Sequence, residues 1–211
     1  MLAVGAIAEH GRLGPTFVFI FIWATIVYDP IACWTWNPKG WARAHGVLDF
    51  AGGTPVHISS GSAALAISVF LGKRLGHGTE TLAFKPNNSS FIILGTMFLW
   101  FGWFGFNGGE MHTYTVMPTP LMTLFSGSTL SATMRAAQAC IVTTMAASVS
   151  GMTWMLWVSF RYSKHVLSSN APWHWQVYRD SKKWSVVDFC SGVVSGLVAI
   201  TPGSGYVPSC K

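Results

Sequence analysis

Charged residues are scarce in this chain. Of its 211 residues, 9% are Asp, Glu, Lys or Arg, whereas a soluble domain carries about 25%. Hydrophobic residues make up 51%, including 11 Trp and 14 Phe. The 13 basic and 7 acidic residues supply too little polar surface for a water-soluble fold. The composition therefore argues against a soluble globular domain, and the lack of long polar tracts argues against a disordered chain.

Motifs that hold metals or cofactors are also missing. Cys33, Cys140, Cys190 and Cys210 form no CxxC pair, so neither a zinc site nor a disulfide framework is indicated. Nucleophile–base pairs and phosphate loops are absent as motifs. We therefore expect no enzyme, no cofactor and no metal. A net charge of +6 would suggest nucleic acid in a soluble protein; here basic loops beside a membrane explain it, and we expect no nucleic-acid partner.

Long charge-free runs take the place of these motifs. Five runs approach the roughly 20 residues that cross a bilayer, namely 13–28, 54–72, 91–109, 136–160 and 189–210. They predict an all-α, polytopic transmembrane helix bundle. We place its five spans at about 12–30, 54–73, 90–109, 128–157 and 185–205.

The loops between the runs alternate in charge. The loop after the second run holds Lys73, Arg74 and Lys85, and the loop after the fourth run is also basic, whereas the stretch 110–134 contains no Lys or Arg. Cytoplasmic loops of membrane proteins carry the excess of basic residues. We therefore expect these two basic loops in the cytoplasm, with the first run passing outward.

His57 lies near the outer end of the second run, inside a charge-free span. Ionisable residues inside a bilayer are expensive and usually face a bundle interior or a pathway. A neutral imidazole donates with one ring nitrogen and accepts with the other, which suits a dry pore for a small polar molecule. A packing histidine that bonds to a neighbouring helix fits equally well.

Three further residues stand at ends of these runs. Asp49 precedes the second run and fits a cap or dipole-compensating carboxylate better than a charge that shapes an outer cation site. Trp36 follows the first run with Trp34; both fit an interfacial belt, although an indole can also hold a cation. Phe106 ends the third run among Gly and aromatic residues, as in a packing motif or a gate of phenyl rings.

These stretches together resemble the ammonium transporter (Amt/Mep/Rh) family, most closely its fungal Mep branch. The sequence DFAGGTPVHISSG looks like the family's characteristic motif, and GRLGP, YDPIACWTWNP, GWFGFNGG and GLVAITPGSG also match in family order. These motifs occupy residues 49–61, 11–15, 28–38, 102–109 and 196–205. The resemblance implies a fragment of an eleven-helix fold with an inverted repeat, assembled as a homotrimer in the plasma membrane with one pore per subunit.

The resemblance also implies roles for the residues above. Trp36 is expected to hold ammonium through a cation–π contact, and Phe106 to belong to the stacked phenylalanines over the pore entrance. His57 is expected to be the first of two pore histidines, and Asp49 to support the outer site. Ser128 is the candidate for the family's ammonium-contacting serine. The implied activity is the passage of ammonium or ammonia through a hydrophobic pore.

Several features depart from the family pattern. The chain has about half the family's length, so Met1 is expected to lie inside the family's sequence, and the second pore histidine is absent. Residues 110–127 and 158–178 look like insertions. Their boundaries can be encoded with splice-donor and CAG acceptor sequences, so we hypothesise retained introns; genuine loop insertions are the alternative. A second functional hypothesis is a truncated remnant that transports nothing and acts only by associating with intact relatives.

Overall fold

The computed structural model describes residues 2–8, 11–73, 88–109, 134–164 and 184–207, and within these ranges the regular secondary structure is helical throughout. This confirms the expected all-α fold class. The chain divides into two units, Met1–Leu82 and Ala83–Lys211, each of which is described by itself.

The described residues of unit 1 form two long helical stretches. The first follows a short 3₁₀ helix, Leu2–Ala6, and contains two α-helical segments joined by one π-helical turn. The second begins with a π-helical turn. In chain order the elements are α1 (Leu13–Trp23), the π-helical turn Ala24–Tyr28, α2 (Asp29–Trp36), α3 (Trp41–Ala44), the π-helical turn Gly53–Ile58 and α4 (Ser59–Leu71).

Proline accounts for the π-helical turn in the first stretch. Pro30 stands in the first turn of α2 and has no N–H for the carbonyl four residues earlier. The wider turn just before it shifts the pairing, so that the N–H of Asp29 bonds to the carbonyl of Ala24, five residues back. Wider turns of this kind absorb such a break without ending the helix. The helix therefore continues past Pro30, near which the first span was expected to end, as far as Trp36.

The described residues of unit 2 form three helices: α5 (Ser89–Gly109), α6 (Met134–Lys164) and α7 (Val186–Ile200). Side chains cap two of their N-termini. The Asn88 Oδ1 accepts from the backbone N–H of Ser90 at 2.9 Å, and the Ser185 hydroxyl accepts from the N–H of Asp188. Caps of this type satisfy donors that a helix leaves unpaired at its start.

Glycine brings α6 and α7 together. A Cβ placed on Gly192 would lie 2.5 Å from the Cβ of Trp154, and one placed on Gly196 would lie 2.5 Å from the carbonyl oxygen of Ala146. Gly192 and Gly196 are four residues apart and so share one face of α7. Small residues at this spacing let the backbones of membrane helices approach closely. Buried Trp103, Ala147, Val193 and Leu197 form the core beside this contact.

The outer faces of both units are apolar. Phe70 of α4 is 88% exposed and Phe101 of α5 is 76% exposed. In the described part of the chain, four helical stretches are long and apolar enough to cross a membrane: Leu13–Ala44, Gly53–Leu71, Ser89–Gly109 and Ala136–Val158. The fifth expected span corresponds to Val186–Ile200, which is apolar but shorter. Apolar surface on this scale fits contact with lipid or other helices, and the chain is a multi-pass membrane protein.

Most residues of the two expected insertions lie outside the described residues. The expected insertion 110–127 lies outside the described residues. Helix α6 continues to Lys164, so the first part of the expected insertion 158–178 is helical, and the rest of it also lies outside the described residues. The insertions therefore stay predictions.

Candidate functional site

The carboxylate of Asp49 organises the loop that leads into the second helical stretch. Its Oδ1 accepts from the backbone N–H groups of Gly52, at 2.8 Å, and Gly53, at 2.7 Å. Its Oδ2 accepts from the N–H of Thr54 at 2.6 Å. Asp49 is only 3% exposed. A charged acceptor on the first donors of a helix also opposes the helix dipole, so the carboxylate acts as a buried helix cap, as the structural interpretation of Asp49 expected.

The indole of Trp36 is tied to the same loop. Its Nε1–H donates to the backbone carbonyl of Asp49 at 3.2 Å. The carbonyl and the carboxylate of Asp49 therefore hold two different elements, the end of α2 and the start of the π-helical turn Gly53–Ile58. Trp36 is half-buried.

Gly52 is required where this loop meets the indole. Its φ is +100°, in the region that residues with a side chain rarely adopt. A Cβ at this position would lie 2.9 Å from Cζ2 of Trp36 and 2.8 Å from a methyl carbon of Val56. Conformation and space both favour glycine, and the ring of Trp36 lies against the Gly52 backbone as a result.

His57 lies in the π-helical turn that Asp49 caps. The N–H of His57 bonds to the carbonyl of Gly52, five residues back, at 3.3 Å, and the side chain is half-buried. Such turns recur at functional sites because they change the direction of one side chain relative to its neighbours. Trp36, Asp49 and His57 thus share one unit, and Asp49 links directly to the segments that carry the other two.

Phe106 lies in unit 2, on α5. Its ring meets the ring of Trp103 edge-on, with centroids 5.7 Å apart and planes at 62°, a favoured arrangement for aromatic pairs. Phe106 is half-buried and packs against the core cluster of unit 2. These contacts fit the packing interpretation of this motif.

The sequence did not predict two buried hydrogen bonds between side chains of unit 2. The Nδ2 of Asn107 donates to the Thr143 hydroxyl at 2.9 Å, which joins α5 to α6. The Nε1–H of Trp103 donates to the Thr201 hydroxyl at 3.0 Å. Asn107, Thr143 and Thr201 are fully buried. The available signal was the presence of amide and hydroxyl side chains in charge-free spans, where they usually bond between helices.

The structure does not describe the remaining expected site residue. Ser128 falls outside the described residues. Among the residues that the structure describes, no group of three or more His, Cys, Asp or Glu could hold a metal ion.

Comparisons with known proteins agree with this architecture. The model of the Ammonium Transporter Family matches residues 1–171 and 166–211. Ammonium transporter 1 of Schizosaccharomyces pombe is 49% identical over 207 residues, which cover 98% of this chain and 34% of that protein. Ammonium transporter MEP2 of Saccharomyces cerevisiae is 40% identical over 209 residues, with 98% and 35% covered.

A solved structure is also similar. The crystal structure of Candida albicans Mep2 superposes with a TM-score of 0.71 at 44% identity, and the match covers 98% of this chain and 38% of that one. The chain spans about a third of the length of the curated relatives that it matches. The family model accounts for the whole length of the chain, its helices follow the same fold, and the chain belongs to the Ammonium Transporter Family.

Proposed function

We propose that this chain is the central part of an ammonium transporter of the fungal Mep type and forms one wall of a hydrophobic pore in the plasma membrane. Two relatives are named ammonium transporters. The observation that carries the proposal is the Asp49 loop, which fixes the indole of Trp36 and the helical turn of His57 within one unit.

Trp36 would recruit the cation. An ammonium ion over the face of an indole is attracted by the ring quadrupole, more strongly where water is excluded. Because the Nε1–H of Trp36 is already engaged with Asp49, the ring is held in one orientation before the ion arrives. Phe106 and, beyond the described residues, Ser128 would complete the entrance.

His57 would act deeper in the pathway. A bare ammonium ion is costly in a low-dielectric interior, so it must leave a proton behind or meet good acceptors. A neutral imidazole can accept from the ion and donate with its other nitrogen. A second pore histidine would come from a segment that this sequence does not contain, and a homotrimer is the assembly we propose for the complete protein.

Uptake of methylammonium tests this proposal. Yeast cells without their own ammonium transporters would express S. pombe ammonium transporter 1 with its corresponding segment replaced by Leu13–Leu71 of this chain. We expect uptake by the chimera, a loss of at least tenfold with Trp36→Ala, and little change with Trp34→Ala. Trp34 is a matched control, because it is 45% exposed and packs on Trp41 instead.

The second candidate is a remnant that transports nothing and acts only by associating with intact relatives. The 211-residue chain expressed alone in the same cells decides between the two. Uptake by the chain alone would exclude the remnant. No uptake by the chain, together with lowered uptake by a co-expressed intact relative, would support it. A chimera that reaches the membrane and shows no uptake would contradict the transport role itself.

A further inference from the structure

The ring of Phe106, which the proposed function assigns to the pore entrance, packs on its neighbour Trp103. Residues three apart on a helix are neighbours on one face, and these two rings meet edge-on with centroids 5.7 Å apart. A phenyl ring has no polar atom that could fix it, so the groups against which it packs set its orientation. The orientation of Phe106 therefore depends on how firmly the indole of Trp103 is held.

A hydrogen bond to the end of α7 holds the indole of Trp103. Its Nε1–H donates to the hydroxyl of Thr201 at 3.0 Å, and Thr201 directly follows α7. Trp103 is only 9% exposed and Thr201 is fully buried, which limits the access of water to this donor. A buried indole N–H without an acceptor is costly, so the bond favours one rotation of the ring.

The hydroxyl of Thr201 is itself oriented to accept. It donates its single proton to the carbonyl of Leu197, four residues earlier, at 2.8 Å, so its lone pairs are left for the indole. The backbone at this point is held as well, because the buried hydroxyl of Ser204 donates to the carbonyl of Thr201 at 3.2 Å. The acceptor of the Trp103 N–H therefore has a fixed position and a fixed direction.

Thr143 makes the same two kinds of hydrogen bond with a different partner. Its hydroxyl donates to the carbonyl of Ala139, four residues earlier, and accepts from Nδ2 of Asn107 on α5. Thr143 is also fully buried. The two threonines differ in what they hold, which is an amide at Thr143 and, at Thr201, an indole that packs on Phe106. A contribution to stability is common to both, whereas an effect on the Phe106 ring is specific to Thr201.

We propose that Thr201 is a positioning residue that acts through Trp103 to orient the ring of Phe106. The consequence for transport rests on the proposed function, whereas the orientation itself is a property of unit 2. Loss of the Thr201 hydroxyl leaves the Nε1–H of Trp103 unpaired. The indole then turns towards another acceptor, and the phenyl ring that packs on it turns with it.

Fluorine NMR of the 211-residue chain in detergent tests the orientation. A single 4-fluorophenylalanine at position 106 reports the ring current of the neighbouring indole. We expect Thr201→Val, which keeps the side-chain shape, to shift this resonance. Thr201→Ser, which keeps the hydroxyl, and the matched control Thr143→Val should leave it in place. An unshifted resonance in Thr201→Val, or an equal shift in Thr143→Val, would overturn the proposal.

Uptake by a chimera tests the consequence for transport. S. pombe ammonium transporter 1 would carry residues 89–109, 134–157 and 184–207 of this chain in cells without other ammonium transporters. The readout is the ratio of ammonium to methylammonium uptake, because this ratio does not depend on how much protein folds. We expect Thr201→Val to change the ratio about tenfold, the lower end of what the fit of one methyl group contributes to discrimination. Thr201→Ser should keep the ratio, and Thr143→Val should lower both rates equally.

A Phe106→Leu background separates action through the ring from action elsewhere. Thr201→Val should not change the uptake ratio further in this background, because the ring that it orients is gone. A further change there, or an unchanged ratio in Thr201→Val itself, would contradict the proposed route through Phe106. A chimera without any uptake would count against the proposed function alone, and the fluorine resonance would still decide whether Thr201 orients Phe106.

Discussion

Helices α1 and α7 are both apolar, yet they are used differently. Helix α7 buries six of its 15 residues against α5 and α6, whereas α1 buries none of its 11 residues within unit 1. Glycines let α7 reach the backbone of α6, but α1 lies across an open groove from α4. Unit 2 is therefore held by helix packing, whereas in unit 1 the hydrogen bonds of the Asp49 loop join the end of α2 to the start of the second helical stretch.

The largest expected effect concerns the packed unit. Gly196→Leu would place side-chain atoms where the backbone of Ala146 lies, so the two helices must separate. Overpacking of this kind costs about 3 kcal/mol. Thermal unfolding of the detergent-solubilised chain measures it. Gly95→Leu is the control, because a Cβ at Gly95 meets nothing within 4 Å; equal losses in both variants would mean that close approach does not hold α6 to α7.

Asp49→Asn tests the loop that holds unit 1. The variant loses the charge and turns one acceptor into an N–H₂ group that faces a backbone donor. Because three backbone N–H groups depend on this carboxylate, we expect a loss of about 2 kcal/mol. The measurement is the midpoint of denaturant unfolding followed by tryptophan fluorescence. Asp29→Asn, at an exposed position, should have little effect, and a similar loss there would contradict the assigned cap.

Gly52→Ala and Gly46→Ala separate backbone strain from contact with Trp36. Both glycines have positive φ, +100° and +83°, so each substitution costs about 1–2 kcal/mol of strain. Only a Cβ at Gly52 also meets the Trp36 ring; at Gly46 it meets nothing within 4 Å. We expect the Gly52 variant to be less stable by about another 1 kcal/mol and to shift tryptophan emission. Equal stability of both variants would contradict the close contact.

The smallest expected effect is the coupling between Asn107 and Thr143. The Oδ1 of Asn107 has no hydrogen-bond partner among the described residues, so the pair is incompletely satisfied. Asn107→Leu and Thr143→Val should each destabilise unit 2, whereas the double variant should lose about 1 kcal/mol less than the sum. A double-mutant cycle on unfolding free energies measures this, and strict additivity would show that the bond contributes nothing.

The sequence predicted one structural element of the candidate site in unit 1, the capping carboxylate. It favoured a capping role for Asp49 because a carboxylate before a helix opposes the dipole, and the structure agrees. It did not find the bond from Trp36 to the Asp49 carbonyl, because residues 13 apart have no fixed spacing when a loop joins them. It also missed Asn107 and Thr143, since neither the α5 nor the α6 pattern indicates which faces meet.

The sequence by itself determined that this chain crosses a membrane, that it is helical, and to which family it belongs. Scarce charge and long motifs suffice for this, because burial of backbone polar groups in lipid requires helices. Only the tertiary structure decided which apolar face is packed and which is open. Helices that are apolar all round carry no period that marks a buried face, so the glycine contact of α6 with α7 and the groove beside Arg12 follow from the fold.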